Sequence, residues 1–497
     1  MSIPESVARP VRLPRRSRQG ILLGLDGGQL VCIGAAIAFL FLAVNRFGLA
    51  GVLIAAPVSI PLTVAGLITI HGLPCPTMIT LWVLLQARHT TGTTKATYRP
   101  EAARLEGTVN LPGRAGFVQV WSADGMAVAY HPHDRTVSIT AELEVQGFLM
   151  RDAQDRLELA RQWSRVLGPF TQRPGVKRVT LQERTHHTTI RAARDAFDDT
   201  TRRRRVDPGS AAARNYRDVL DLGERFAVSH RNYLTLTFDL VDLNAQVRAL
   251  GGGKDAVVAL AAMEAGNITA ALRAAGKTVR RWVSPRDWAA LARAVFDPEF
   301  LPALDDRTAE TSGVDLAGIG PMALEEPRGH NGIVRTDSGV HTTMWIHEWP
   351  RTDAPVGFLE PLVFARLPIS NQAVAHILTI VLTPVPVAKA LKRIQDDKRV
   401  WRSNQRMRAK RGREGSAADD ADYAALRQQE EELVSGHGEY TYGGYLTITA
   451  RDEDALEQSV AGARNAMGQV GMEAQVLYCQ QAEALLVSAL PLGWGMK

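Results

Sequence analysis

Cysteine is scarce in this sequence: Cys32, Cys75 and Cys479 are the only three in 497 residues, and no two form a CxxC pair. Neither a disulfide framework nor a cysteine-based zinc site is readable, and a reducing compartment is the simpler setting. Signature motifs of catalysis are missing as well. Gly276-Lys277-Thr278 looks like the end of a phosphate-binding loop, but Ala271 stands where the first glycine is needed. The residues before it, NITAALRAA, follow a helical pattern where such a loop follows a strand, so Gly276 reads as a helix C-cap. His347-Glu348 lacks the second histidine of HExxH, since position 351 is arginine, and His131-Pro132-His133 and His186-His187 have no further ligand at a recognised spacing. There is no G-x-S-x-G elbow and no readable pair of catalytic carboxylates. From these absences we expect no enzyme, no catalytic residues, no metal and no cofactor. Repeats of fixed length are absent too.

Charge is absent from two long stretches near the start. Gly27 to Asn45 and Phe47 to Ala87 contain no Asp, Glu, Lys or Arg, with Arg46 between them. A spanning helix needs about 20 mostly apolar residues, so spans are expected at about 27–45 and 47–70. Pro57 and Pro61 fall inside the second, where membrane helices tolerate them. MITLWVLLQARH is too short to cross and is expected as an interfacial helix at about 77–89, with Trp82 at the headgroup level. Arg9, Arg12, Arg15, Arg16 and Arg18 precede the first span against the single Glu5, and Arg88, Lys95 and Arg99 follow the second. Positive flanks stay inside, so both termini and the main body are expected in the cytoplasm of a multi-pass inner-membrane protein. A cleavable signal peptide competes for the first span, but the long basic lead, the lack of a clear A-x-A site and the immediate second span oppose it.

The remainder reads as an α+β body. FVQVW and MAVAY flank Ser122-Ala123-Asp124-Gly125 as a hairpin. TVSITAELEV, the helical pattern of Arg151 to Leu167, and VKRVTLQ give strand, helix, strand. YLTLTFDL alternates strictly, a helix follows at roughly 255–275, and Ser284-Pro285 starts another. GGYLTITA, a helix through Leu456 to Val470, and AQVLY close the series. Ferredoxin-like strand-helix-strand units are the expected architecture. The domain expectation is a basic lead at 1–26, an anchor at 27–100, a small β-rich segment at 101–135, an α+β body at 136–385, a charged helical hairpin at 386–436 and a C-terminal unit at 437–497.

The net charge of +6 is mild for this length and selects no partner. It is unevenly spread. A basic stretch carrying Lys392, Arg393, Lys398, Arg399, Arg402 and Arg406 precedes the acidic DDADYAALRQQEEE. Two antiparallel helices with attracting arms explain both, with a tip at 412–418; phosphate tracking by the basic arm is the alternative. The run Arg202 to Arg205 reads as solvated linker.

In its first hundred residues the chain, with a basic lead, two spans and GLPCPTMITLWVLLQARHTTGTTKATY, resembles the PrgI family of inner-membrane subunits of type IV secretion and conjugation systems. From about Thr136 it resembles the N-terminal, non-motor domain of the assembly ATPases of those systems, through ELEVQGF, NYLTLTFDL, FDPEFLPAL, HTTMWIHEWP, GFLEPL and LTPVPVAKALKRI. EEELVSGHGEYTYGGYLTITA and QQAEALLVSALPLGWG are similar to the segment that leads into the motor in those proteins, and the sequence ends there. The arrangement looks like that of a family carried by actinobacterial integrative elements, in which a PrgI-like anchor is fused to a motorless ATPase-type domain. What the resemblance implies is a scaffold in a conjugative DNA transfer machine, with a separate ATPase and a polytopic channel subunit as partners and homo-oligomers within the assembly. Leu490, Pro491, Leu492 and Gly493 are then the expected docking surface for the ATPase. The rival expectations are a membrane-tethered nucleic-acid-binding module and a membrane-attached enzyme with an unrecognised site.

Overall fold

A computed structural model describes residues 25–98, 108–109, 111–144, 151–224, 227–301, 303, 316–350, 354–410, 417–434 and 438–495. The basic lead at 1–24 and most of the expected tip at 412–418 lie outside the described residues. Two apolar helices, α1 (Gly27–Phe47) and α2 (Ala50–Leu67), come first. They pack on small residues. Ala36, Ala43, Gly51, Ala55, Ser59 and Gly66 are buried between them, and the Ser59 hydroxyl donates to the Ala36 carbonyl at 3.2 Å. A Cβ on Gly51 would stand 2.2 Å from the Ala43 carbonyl oxygen, so glycine is what permits the close approach. Val31, Phe41, Leu53 and Ile60 point outward and exposed, a surface that water does not favour and lipid does.

A two-strand turn, β1 (Thr69–Ile70) and β2 (Leu73–Pro74), leads into α3 (Cys75–Thr90) and then β3 (Lys95–Thr97). A helix stands where one was expected, at Cys75–Thr90, and it packs on the body. Met78 and Leu85 on one face pack against Cys479 and Tyr478 of the body, while Ile79, Trp82 and Val83 on the other remain exposed. Arg88 at its end reaches buried Glu326 at 3.2 Å.

The body is built on one antiparallel sheet. β4 (Gln119–Ala123) and β5 (Met126–His131) form the expected hairpin; Asp124 and Gly125 both take positive φ, 49° and 83°, as a two-residue type I′ turn requires. Then follow β6 (Thr136–Leu143), α4 (Ala153–Phe170), β7 (Val176–His187), α5 (Arg191–Arg203), α6 (Ala211–Glu224), β8 (Val228–Asp239), α7 (Asn244–Ala249), α8 (Gly253–Ala274), β9 (Val279–Trp282) and α9 (Pro285–Phe296). The second half holds β10 (Ala323–Glu325), β11 (Val334–Arg335), β12 (Val340–Glu348), α10 (Glu360–Val363), β13 (His376–Val385), α11 (Val387–Lys410), α12 (Ala417–Val434), β14 (Glu439–Ala450), α13 (Glu453–Gln469), β15 (Glu473–Val476) and α14 (Gln481–Ala489).

The hydrogen-bonded order reveals a duplication that sequence similarity does not. In the first half β9, β6, β8 and β7 are neighbours in that order; in the second, β15, β12, β14 and β13 are. Each half runs strand, helix, strand, strand, helix, strand, and each carries two helices inserted between its second and third strands: α5 and α6 in one, α11 and α12 in the other. β7 and β13 join the halves, pairing from His376 opposite Thr185 to Leu382 opposite Val179. β4 and β5 continue the same sheet beyond β6, and β14 lies inside it between β12 and β13.

Strict alternation gives the sheet two different faces. Val137, Ile139, Leu234, Leu236 and Phe238 meet α4 and α8 on one side. In the second half, Met344, Leu378, Leu446 and Ile448 meet α13 and α10 on that same side. Helix α8 is long and apolar enough to span a membrane, as α1 and α2 are. Its Val257, Leu260, Ile268 and Leu272 belong instead to the sheet core, where each is worth roughly 1.5–3 kcal/mol of burial. The opposite face carries Ser138, Thr140, Thr180, Gln182, Arg184, Thr235, Thr237, Thr343, Thr379 and Thr447, all buried. It is covered by α9, α14 and the chain after α14.

Candidate functional site: a cationic cleft across the seam

Helix α14 lies on the polar face with both ends satisfied. Glu326 accepts from the Ala482 amide at 2.7 Å at its first turn, and burial pushes that carboxyl's pKa up even with Arg88 nearby. At the last turn Gln182 and Thr379 donate to the Ser488 carbonyl at 2.7 and 2.6 Å, and Arg184 donates to the Ala489 carbonyl at 2.5 Å. An acid at the N-terminus and a guanidinium at the C-terminus match the helix dipole. Arg184 also donates to the Leu291 carbonyl, so one buried side chain ties β7, α9 and α14 together. Burial lowers its pKa to about 10, which leaves it charged.

The chain then continues across the sheet, and this decides the fate of the expected docking surface. Leu490, Pro491, Leu492 and Gly493 are all buried. The Leu492 carbonyl accepts from Ser138 at 2.9 Å, and the Gly493 carbonyl accepts from Thr237 at 3.1 Å and Arg178 at 2.8 Å. Trp494 follows, its indole N–H donating to His131 Nδ1 at 2.9 Å. These residues present no surface to a partner: the hydroxyl rows of β6 and β8 need acceptors, and this segment supplies them. Polar groups buried without such partners would cost about 1–3 kcal/mol each.

Beside α14 opens a cleft of about 860 Å³. It spans the seam, lined by the ends of β7, β8, β9, β13 and β14, by α9 and by the start of α13. Six arginines line it, Arg184, Arg231, Arg280, Arg281, Arg286 and Arg451, against three carboxylates, Asp287, Glu299 and Asp452. Part of that charge is already spent. Arg280 and Arg281 share buried Glu142 at 3.3 and 2.7 Å, and Arg281 also reaches Asp287 at 3.1 Å. The lining also has an apolar part, with Ala290, Leu291, Ala294 and Val295 of α9. What such a cleft can do is hold an anionic group against its arginines while burying apolar surface against that part.

On the opposite face of the sheet from the cleft, a buried Glu183 sits between two histidines. His230 Nδ1 is 3.0 Å from one carboxylate oxygen and His376 Nε2 is 3.4 Å from the other. Burial raises the Glu183 pKa, but the bonds from His230 and His376 outweigh it and hold the carboxyl at about 2. Thr185 contacts both Glu183 and His230, at 2.7 and 2.8 Å. It resembles a nucleophile, base and acid, yet hydroxyl and carboxylate meet the same ring nitrogen of His230. A relay needs the two on opposite nitrogens, so this cluster joins the halves rather than activating Thr185.

The basic arm is engaged along α11. Lys398 is buried and 2.5 Å from Glu430 of α12, Arg393 pairs with Glu439, Arg399 with Asp396 at 3.2 Å, and Arg402 donates to Tyr423 at 3.3 Å. Ala390, Ile394 and Leu433 form a small core, and Trp401 stacks on Tyr423 at 4.3 Å. Lys392 and Arg406 are exposed. Of these six residues, Lys398 and Arg402 reach the acidic arm, while Arg399 pairs within its own helix and Arg393 with β14. Gly276, with φ 71°, ends α8, its amide bonded to the Arg273 carbonyl and that of Lys277 to the Leu272 carbonyl, so no phosphate loop forms there. The cleft arginines went unnoticed in the sequence because, Arg280 and Arg281 apart, they are scattered between 184 and 451. Compared with known proteins, the chain matches no protein-family model and no curated protein.

Proposed function

We propose that this chain is an inner-membrane scaffold component of a type IV secretion-like DNA transfer machine, holding a separate ATPase and a polytopic channel subunit in place. In this reading α1 and α2 are a transmembrane hairpin with the body on the cytoplasmic side, and the two halves of the sheet are ferredoxin-like. The single observation that carries it is the joint between anchor and body. α3 leaves the apolar pair and is fastened to the body through Met78, Leu85 and the Arg88–Glu326 pair, whose acid also caps α14. A tethered body that must resist force needs a rigid joint of this kind, and a merely anchored enzyme does not.

The reading puts α11 and α12, together with α5 and α6, in the role of projecting arms. Partner contact falls to them or to the cleft, because the 490–493 segment is occupied. Deletion of the gene in a donor cell tests the function: DNA transfer should fall to background and return with the full chain, but not with one lacking residues 27–67. Transfer that continues undiminished without the gene overturns it. One observation favours a second reading, a membrane-tethered nucleic-acid-binding module: the six arginines of the cleft. Against it, the lining contains no Trp or Phe, and its one tyrosine, Tyr233, is buried with Arg184 over its ring, which leaves little aromatic surface of the kind on which single-strand binding stacks bases. Steep salt-dependent DNA binding that vanishes on charge reversal of Arg280 and Arg281 would favour that module over the scaffold.

A further inference from the structure

We propose that His347, Glu348 and Glu473 form a binding site for a divalent first-row transition metal, zinc or manganese, where β12 ends against β15. One ligand atom from each lies within 4.8 Å of the others. Adjacent residues of a regular strand point to opposite faces, so His347 and Glu348 would not ordinarily converge. Here the β12–β15 register shifts between Ile346 and Glu348, and the irregularity brings both side chains to the same edge. Bulges are a recognised means of re-aiming a side chain.

A second observation concerns charge. The register sets Glu348 directly opposite Glu473. Like charges at facing positions of an antiparallel pair are destabilising, and a bridging cation turns that repulsion into attraction. His347 Nε2 stands 3.9 Å from Glu473 Oε2. Ligands about 2.1 Å from a tetrahedral zinc ion are about 3.4 Å apart, so this pair closes with a movement of about half an ångström, and the whole set, within 4.8 Å, with at most about 1.4 Å. Glu473 can supply it: its side chain is 63% exposed, whereas that of His347 is 13% exposed and held in place. Trp345, with its ring 5.9 Å from that of His347, forms part of the support. One imidazole with two carboxylates suits zinc or manganese, and three protein ligands leave positions for water or a partner's side chain.

The location gives the site a consequence. Two residues along β15 from Glu473, Gln475 donates to the His71 carbonyl in the turn between β1 and β2 at 2.7 Å. A metal that fastens β15 to β12 therefore also steadies the strand on which the anchor's turn rests.

The test uses the full chain, detergent-solubilised, free of affinity tags and stripped by chelator. Equilibrium dialysis against ZnCl2 and MnCl2 should show one site that is weakened at least tenfold by Glu473→Gln and by His347→Ala, and unchanged by Glu457→Gln, an acid elsewhere on the surface. Hydrogen exchange at 473–476 should slow on adding zinc in the parent and not in Glu473→Gln. Because Glu473→Gln alters only an exposed group, it keeps the test decisive even where His347→Ala misfolds. Uptake that is equal in the parent and Glu473→Gln, or no uptake of either metal at 100 micromolar, overturns the proposal.

Discussion

His131 makes the stability of the body depend on pH in a window that can be separated from other groups. Trp494 donates its indole N–H to His131 Nδ1, so that nitrogen must be unprotonated, and Nε2 faces the Ser138 hydroxyl at 3.3 Å. Full burial, with the nearby Arg178 charge adding to it, lowers the pKa from 6.5 to about 3. A base depressed in the folded state contributes stability that is fully present above its unfolded pKa and lost as pH falls below it. Between pH 7 and pH 5 the unfolded histidine goes from about one quarter to nearly fully protonated while the folded one stays neutral, which costs about 2 kcal/mol. His341, buried between Thr336 and Thr449 and also lowered to about 3, adds a similar loss. Glu183 does not interfere, because its contribution is present above about pH 4.5 and lost only as pH falls toward 2. The assay is urea unfolding of the solubilised chain at both pH values for the parent and for His131→Gln, whose amide can accept from Trp494 and donate to Ser138. The variant should lose about 2 kcal/mol less than the parent across that interval. An identical loss in both would show that the folded His131 takes up a proton near its ordinary pKa and refute the fixed acceptor role of Nδ1.

Other perturbations have equally definite outcomes. Gly493→Ala places a Cβ 2.2 Å from Thr237 Oγ1 at a residue with φ 64°. It should cost about 2–4 kcal/mol in the same unfolding assay, the sum of a left-handed backbone penalty and overpacking. Arg184→Met removes the donor to the Leu291 and Ala489 carbonyls and should destabilise by about 3–5 kcal/mol, read as a lower urea midpoint with α14 amides exchanging first. In membranes, cysteines at 36 and 59, in a chain lacking the three natural ones, should cross-link readily; Gly51→Val should abolish this, because its side chain would strike the Ala43 carbonyl. Lys398→Glu sets a half-buried like-charge pair against Glu430 and should make α11 and α12 markedly more susceptible to limited proteolysis while leaving the sheet intact.

Local signals carried far in this chain. The uncharged stretch was legible as two apolar helices, Asp124-Gly125 as a tight turn, Ser284 as a helix cap whose hydroxyl accepts from the Asp287 amide at 3.1 Å, and Gly276 as a helix end. Each depends on residues within a few positions of one another. What escaped was set by register and by distant partners. The pairing of β7 with β13 that joins the two halves has no local sign, since either strand alone reads as an alternating segment with two usable edges. The 490–493 segment misled for a related reason: Leu-Pro-Leu-Gly looks like an exposed apolar patch until the hydroxyls of Ser138 and Thr237, over 250 residues earlier, are found to need its carbonyls. A threonine-rich sheet face is ambiguous in sequence, because threonine suits both a solvated face and a buried one with acceptors. Only the covering segment resolves it, and here that segment lies at the far end of the sequence. The same dependence explains the cleft: its arginines come from β7, β8, β9, α9 and the turn after β14, and only the closing of the sheet across the seam brings their charges into one cleft.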